Sequence, residues 1–223
     1  MTYPTQPSLR RPLRGVTALL GLTLALMLGA CSSLPDRPTR PVTYDFGPGP
    51  LATMPADRKA PLPPIALADV EPTGVLDGST AVLYRLAYSN PQTLLPYAQS
   101  RWSMPVAQLV RQRLRDYLGQ RRAVLTAGES SALVRTDGAL PLVLRVDLDE
   151  FSHIFDSPTS SAGLVRLRVT LVDVTPAGEK LVGQRQIIVQ RPAATHDAPG
   201  GVAALAQATD AAAQEIADWV DRR

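Results

Sequence analysis

The chain has very little cysteine and histidine, and this scarcity limits the chemistry that it can perform. Cys31 is the only cysteine among 223 residues, so an intramolecular disulfide is excluded and the fold depends on its apolar core. Neither of the two histidines has a second histidine, cysteine or carboxylate at metal-ligand spacing. We therefore predict no metal site. His153, in the segment 152–162, and His196, before the last helix, are interpreted as solvated loop residues.

A surplus of basic residues is also missing once the N-terminus is set aside. The whole chain has 23 basic and 20 acidic residues, but Arg10, Arg11 and Arg14 lie in the first 30 residues, where no acidic residue occurs. The remainder is therefore balanced, with 20 residues of each sign. A nucleic-acid-binding protein needs a basic surface that displaces the counterions of the phosphates. The sequence accordingly predicts no nucleic-acid partner.

Motifs of catalysis and cofactor binding are absent as well. No glycine-rich turn is followed by Lys and Ser or Thr, as a phosphate-binding loop requires. Asp147, Asp149 and Glu150 resemble a carboxylate set for acid–base catalysis. However, Arg166 and Arg168 lie on the neighbouring predicted strand, and pairing of opposite charges across strands explains these residues without catalysis. We predict no catalytic residue, no enzymatic activity and no cofactor.

The first 31 residues have the pattern of an export signal that ends in a lipidation site. Residues 16–28 are almost continuously apolar, and these 13 positions are too few for a membrane-spanning helix, which takes about 20. The segment ends in Leu28-Gly29-Ala30-Cys31, which resembles the lipobox of bacterial lipoproteins. We predict cleavage between Ala30 and Cys31 and acylation of the Cys31 thiol. By the same resemblance, Ser32 in place of an aspartate implies the periplasmic face of the outer membrane.

The next segment, residues 31–64, differs in composition from the rest of the chain. It contains nine prolines: Pro35, Pro38, Pro41, Pro48, Pro50, Pro55, Pro61, Pro63 and Pro64. Without a lasting apolar period it cannot bury enough surface to offset the entropy of ordering. The composition predicts a disordered, proline-rich tether that is semi-rigid where proline is dense. Tyr44-Asp45-Phe46 leaves two interpretations open, an edge strand or a further piece of unstructured linker.

Residues 65–223 are predicted to form one domain that is rich in strands. Strands are expected at 65–70, 81–88, 94–102 and 123–126, with a hairpin formed within residues 81–102. Alternation of apolar and polar residues predicts three more strands at 142–149, 164–174 and 181–190. Strands with one apolar and one polar face are typical of an antiparallel meander that has one face exposed to solvent.

Two amphipathic helices complete the predicted domain. Ser103 is expected to cap the first helix, and Pro105 falls in its first turn, where a missing N–H costs nothing. The apolar residues of 106–118 recur at helical spacing, with Arg111 and Arg115 on the opposite face. The second helix is predicted over 202–221, and small residues in its apolar stripe allow a close approach to a sheet. The order of elements predicts an α+β fold, an antiparallel sheet with both helices on one face.

The stretch from Ala81 to Leu118 resembles the ABC-type transport auxiliary lipoprotein family. It reads AVLYRLAYSNPQTLLPYAQSRWSMPVAQLVRQRLRDYL. The resemblance lies in a strand with Tyr84-Arg85, then Tyr97, then Ser100-Arg101-Trp102, a proline and an amphipathic helix. The lipobox, Tyr44, the late strands and the final Ala217-Asp218-Trp219-Val220 fit the same family. After the tryptophan, Ser103-Met104-Pro105 departs from the more usual acidic or alanine-proline run.

The resemblance implies an outer-membrane-anchored, non-enzymatic docking or stabilising subunit of a lipid transporter that contains a mammalian-cell-entry (MCE) domain protein. The expected partners are the membrane, through acylated Cys31, and the MCE-domain protein; a homo-oligomer stays open. Arg111, Arg115 and Trp102 are candidate partner contacts, although Trp102 at a strand–helix junction also fits a core position. Two alternatives remain: a plug or chaperone lipoprotein of another envelope complex, and a lipid-anchored hydrolase.

Overall fold

The computed structural model describes residues 40–49, 62–74, 77–127 and 140–223, which contain eight strands and two helices. In chain order these are β1 Val42–Tyr44, β2 Leu62–Pro72, β3 Ala81–Leu86, β4 Leu95–Trp102, α1 Val106–Gly119, β5 Arg122–Thr126, β6 Leu142–Ser157, β7 Ser160–Thr175, β8 Gly178–Pro192 and α2 Ala198–Asp221. The elements are an α+β set, as predicted. The predicted export signal and lipidation site at Cys31 lie outside the described residues.

The sheet is mixed, which corrects the prediction of a purely antiparallel sheet. The pairs β3–β4, β6–β7 and β7–β8 are antiparallel, as the hairpin signals predict. In contrast, β1–β4, β2–β5, β2–β6 and β3–β6 are parallel. Parallel partners need long crossover connections, so they are distant in sequence. Alternation within each strand therefore does not show which strand lies beside it or in which direction that neighbour runs.

Two different strands, β2 and β3, pair with the same edge of β6, so the sheet divides into two branches; we call this division the fork. The first half of β6 pairs with β2, from Leu142 beside Ile65 to Leu148 beside Pro72. Its second half pairs with β3, from His153 beside Tyr84 to Phe155 beside Leu86. The opposite edge of β6 pairs with β7 along almost its full length. As a result β2 and β5 form one branch, and β3, β4 and β1 form the other.

The predicted loop at 152–162 is wrong, because β6 and β7 continue through it to a tight turn at 157–160. The pairing register shifts between Leu148 and Glu150 and again between Phe155 and Ser157. Each irregularity adds a residue and moves later side chains to the other face. The sequence alternation consequently breaks at residue 149 although the strand does not end there.

Both helices pack against the sheet and against each other in one continuous apolar core. The predicted Ser103 cap of α1 is wrong: Pro105 is the N-cap and makes no side-chain cap bond. The Ser103 N–H instead donates to the Tyr44 carbonyl at 2.7 Å. α2 starts earlier than predicted, where the Asp197 carboxylate accepts a hydrogen bond from the Gly200 N–H at 3.0 Å.

Close contact between α2 and β7 depends on small residues, as the sequence predicts. A Cβ placed on Gly163 of β7 would lie 2.5 Å from the Ala204 carbonyl carbon and from the Leu205 nitrogen. The α2 backbone therefore rests almost directly on the strand. Ala208, Ala212 and the other small residues of the buried stripe continue this contact along the helix.

Of the two interpretations of Tyr44–Phe46, the structure shows the edge strand. β1 pairs with β4, with Tyr44 beside Trp102, and Phe46 is only 9% exposed. The Phe46 ring lies 5.4 Å from the Trp102 ring and 5.8 Å from the Phe151 ring, centroid to centroid. Burial of an aromatic side chain of this size stabilises a fold by about 1.5–3 kcal/mol. These few N-terminal residues therefore belong to the core.

Candidate functional site

An open groove of about 510 Å³ lies between α1, the end of β2 and the turn at Asp77-Gly78. We call it the α1 groove. Its polar lining consists of Asp69, Glu71, Asp77, Gln108, Arg111, Gln112 and Arg115. The groove is lined by the last residues of β2, by Asp77 and Gly78, by α1 and by Pro105, which precedes α1. Pro105 and Ala107 supply short side chains that keep it open.

The two arginines predicted as partner contacts lie together in this groove. Arg111 and Arg115 are one helical turn apart, so they share the face of α1 that points away from the core. Arg111 Nη1 lies 2.7 Å from Asp69 Oδ1, and Arg115 Nη2 donates to Thr126 Oγ1 at 3.0 Å. The Asp69 side chain is 76% exposed and that of Arg111 is 30% exposed, so this ion pair is open to solvent.

Trp102, the third candidate contact, lies in the core rather than at the surface. It is 2% exposed, and its ring lies 5.4 Å from Phe46 and 5.7 Å from Phe151, both in edge-on geometry. Such edge-to-face pairs add about 0.5–1.5 kcal/mol beyond burial. The structure does not bring Trp102 together with Arg111 and Arg115 at one surface. Of the two interpretations left open by the sequence, the core position is the one observed.

A buried arginine that the sequence analysis did not identify fastens the N-terminal segment to both helices. Arg113 is 3% exposed; its Nη1 lies 3.1 Å from Asp210 Oδ1 of α2. Its Nη2 donates to the Phe46 carbonyl and, at 3.3 Å, to the Gly47 carbonyl. Burial raises the pKa of Asp210, and the nearby Arg113 guanidinium opposes that rise. We call these residues the Arg113 clamp.

A sequence signal for the clamp exists. Arg113 is four residues after Leu109 and three after Val110, so it falls within the apolar stripe of α1. A charged residue in such a stripe indicates a buried ion pair, because an unpaired charge there costs several kcal/mol.

The two histidines differ from each other in burial. His153 is fully buried below the first turn of α2, and its Nδ1 lies 2.8 Å from the Tyr97 hydroxyl. Burial, reinforced by the nearby His196, lowers the pKa of His153 to about 4. It is therefore neutral near pH 7, and its prediction as a solvated residue is wrong. His196 is an exposed residue between β8 and α2, as predicted, and its Nδ1 lies 2.8 Å from Ser161 Oγ.

Two carboxylates of the predicted set, Asp149 and Glu150, are paired with arginines. Asp149 Oδ2 accepts from Arg168 Nη2 at 3.3 Å, which is the predicted cross-strand pairing. Glu150 instead pairs with Arg85 of β3 at 3.1 Å, and its Oε1 accepts from Ser152 Oγ at 2.6 Å. Charge pairing thus accounts for both residues as structural groups.

Two further observations concern chemistry and the membrane. Within residues 40–49, 62–74, 77–127 and 140–223, no group of three or more His, Cys, Asp or Glu side chains is arranged to hold a metal ion. No helix in the described part of the chain is long and apolar enough to cross a bilayer.

Comparison with known proteins gives one family and a shared fold. The family model described as "ABC-type transport auxiliary lipoprotein component" matches residues 44–217. Protein XCC0632 from Xanthomonas campestris, of the DUF330 family model, superposes with a TM-score of 0.62 at 17% identity, covering 80% of this chain and 94% of its own. An uncharacterised protein gives a TM-score of 0.55 at 15% identity, with 82% and 99% coverage. At such identities the likeness concerns the fold alone. No curated protein matches the sequence.

Proposed function

Because the chain belongs to the ABC-type transport auxiliary lipoprotein family, we propose that it is the non-enzymatic lipoprotein subunit of an MCE-type lipid transporter. In this role it is anchored at the periplasmic face of the outer membrane and docks the transporter there. The observation that carries the proposal is the family match, which spans most of the folded residues. The predicted lipobox at Leu28–Cys31 supports the anchor.

The α1 groove supports a protein partner as the ligand. It is open, lined by charges of both signs, and its ion pair between Arg111 and Asp69 is accessible to water. Charged residues at the rim of an interface guide encounter and fix the relative orientation of two proteins. The inward-facing His153 is neutral, and Asp149 and Glu150 are held by arginines. These side chains therefore have structural roles that favour docking over catalysis.

The anchor is tested by changing the cysteine. Cys31→Ala removes the thiol that receives the lipid, so the variant should remain an uncleaved precursor without incorporated palmitate. Globomycin, which blocks the lipoprotein signal peptidase, should cause an uncleaved precursor of the wild type to accumulate. Two or three acyl chains anchor firmly, whereas one chain alone is marginal. Normal maturation of the Cys31→Ala variant would exclude the lipoprotein assignment of this cysteine.

The partner is tested by affinity purification of the tagged, acylated protein from detergent-solubilised membranes. The MCE-domain protein should be recovered with the wild type, and charge reversal by Arg111→Glu with Arg115→Glu should reduce its recovery. The matched variant Arg145→Glu with Arg168→Glu reverses two exposed arginines on the open face of the sheet. If recovery of the MCE-domain protein falls only with Arg145→Glu and Arg168→Glu, the partner binds the open face of the sheet and not the α1 groove. Recovery of an outer-membrane barrel without any transporter subunit would contradict the proposal and favour a plug or chaperone.

A further inference from the structure

The direction of β1 shows how the N-terminal part of the chain enters the folded domain. β1 lies at the edge of the sheet and runs parallel to β4, with Val42 beside Ser100 and Tyr44 beside Trp102. Moving backwards along the chain from Val42 therefore means moving along β4 towards its first residue, Leu95. The chain thus approaches the domain from the side of the β3–β4 turn, residues 87–94.

The same end of the sheet also carries the β6–β7 turn. β3 and β6 are parallel, with Leu86 beside Phe155, and the Ala87 N–H donates to the Phe155 carbonyl at 2.9 Å. The turns 87–94 and 157–160 are consequently neighbours, and we call them the near end. The β7–β8 turn, residues 175–178, is the far end. The 16 residues of β6 span this distance, which at about 3.3 Å per residue is about 50 Å.

The number of residues before β1 limits where a lipid on Cys31 can be. Nine peptide steps separate Cys31 from Arg40, and a fully extended chain covers at most about 3.3–3.6 Å per residue, or about 30 Å in total. Such a length reaches the near end while continuing in the direction in which β1 already points. It approaches the far end only if the chain reverses and stays fully extended.

The two turns of the near end carry little charge, and the exposed Arg191 and Asp197 lie beside them at the end of β8 and in the β8–α2 connection. The turn 87–94 contains no charged residue, and Asp156 is the only one at 156–160. Tyr88 is 49% exposed in the first turn, and Val42 is 54% exposed on β1. Tyrosine is enriched at the headgroup level of bilayers, because its ring is apolar and its hydroxyl remains hydrated.

We propose that the near end faces the bilayer that holds the acyl chains, with Tyr88 at the lipid headgroups, and that the far end points into the periplasm. This inference rests on the proposed acylation of Cys31. The domain then lies against the membrane surface rather than at the end of a long tether. The turn 175–178 and the C-terminus of α2 are then the parts of the domain farthest from the membrane.

The orientation is tested with single labels on the acylated, full-length protein in vesicles of phosphatidylethanolamine and phosphatidylglycerol. Thr159→Cys and Ala177→Cys place one reactive thiol in each of two exposed turns, because the Cys31 thiol is consumed by the lipid. A fluorophore at position 159 should be quenched several-fold more strongly by a headgroup-labelled lipid than one at position 177. Equal quenching, or stronger quenching at position 177, would overturn the proposal.

Tyr88 is tested in the same vesicles. Tyr88→Glu introduces a charge at the headgroups and should weaken quenching of the label at position 159. Leu181→Glu is the matched control, since Leu181 is a 62% exposed apolar residue on β8 near the far end, and it should leave that quenching unchanged. Unchanged quenching at position 159 in the Tyr88→Glu variant would show that Tyr88 does not contact the headgroups, and it would contradict the proposal. Palmitate incorporation is measured first, so a failure of acylation, which refutes the anchor itself, is distinguished from a wrong orientation.

Discussion

Arg111 and Arg113 lie two positions apart on α1, and their surroundings give them different roles. The Arg113 guanidinium is buried and is bonded to α2 and to the N-terminal segment at once. The Arg111 guanidinium makes one ion pair that is open to water. Exposed pairs of this kind contribute about 0–1 kcal/mol, whereas a buried group left without its partner is costly. The same residue type is therefore structural at one position and available for binding at the other.

Arg113→Ala should lower the free energy of unfolding by about 1–3 kcal/mol, because it leaves the Phe46 and Gly47 carbonyls without their donor and the partly exposed Asp210 without its ion-pair partner. The change is measured by urea denaturation. Arg111→Ala is the control on the same helix and should cost less than about 1 kcal/mol. Amide hydrogen exchange should also accelerate at Tyr44 and Phe46 in the Arg113→Ala variant. Similar stability losses for both variants would contradict the structural role of the clamp.

His153 predicts how stability depends on pH. Its pKa is lowered from 6.5 to about 4 in the folded chain, mainly by burial. Between these values the unfolded chain binds a proton that the folded chain does not bind. The free energy of unfolding should therefore decrease by roughly 3 kcal/mol as the pH falls from 6.5 to 4, with no further loss from this residue below that.

Urea denaturation at pH 7, 5.5 and 4 measures this dependence. His153→Gln should flatten the decrease, since glutamine does not titrate, while His196→Gln leaves His153 in place and should retain it. An acid dependence that is unchanged in His153→Gln would show that another group is responsible.

At the scale of elements, the position of α2 depends on Gly163. A methyl group at this position would overlap the α2 backbone at Ala204 and Leu205. Gly163→Ala should therefore destabilise the fold by about 1–3 kcal/mol through overpacking. Gly119→Ala is the matched control, because nothing lies within 4 Å of a Cβ at the last residue of α1. That variant should be neutral or slightly stabilising, and thermal unfolding distinguishes the two. Equal melting temperatures would contradict the close approach.

The elements themselves were more predictable than their arrangement. The alternation in β6, β7 and β8 and the apolar stripes of α1 and α2 follow from local periodicity, so their cores were found from the sequence. Parallel partners such as β2 and β6 are about 75 residues apart, and no local signal links them. The irregular pairing after Leu148 interrupts the alternation of apolar and polar residues, so the second half of β6 could not be predicted from the sequence. The candidate site is predictable only in part, because Arg111 and Arg115 form a polar helix face that the sequence shows, whereas the residues of β2 that complete the groove are about 40 positions away in the sequence.

For the whole molecule, the position of its two lysines allows a simple test of whether the proline-rich segment after β1 is accessible to proteases. Lys59 lies in the proline-rich segment and Lys180 lies on β8. Endoproteinase Lys-C should cleave after Lys59 first, because paired strand backbone resists proteolysis. The piece before Lys59 should then remain bound to the domain through β1 and Phe46 in detergent solution, and Arg113→Ala should release it. Size-exclusion chromatography followed by mass spectrometry measures both. First cleavage at Lys180 would contradict this view of the domain.

The fork in the sheet also limits the order in which the strands can assemble if the chain is exported as proposed. β2 and β3 both pair with β6, which begins only at Leu142. If the chain crosses the inner membrane N-terminus first, strands β1 to β5 emerge before β6. Two of them, β2 and β3, cannot complete their pairing until β6 has also emerged. Pairings between such distant segments form slowly, because the connecting chain must be closed first. If Cys31 is acylated as we propose, lipid attachment can begin before the domain exists, and the final folding steps would then take place on a chain already held at a membrane.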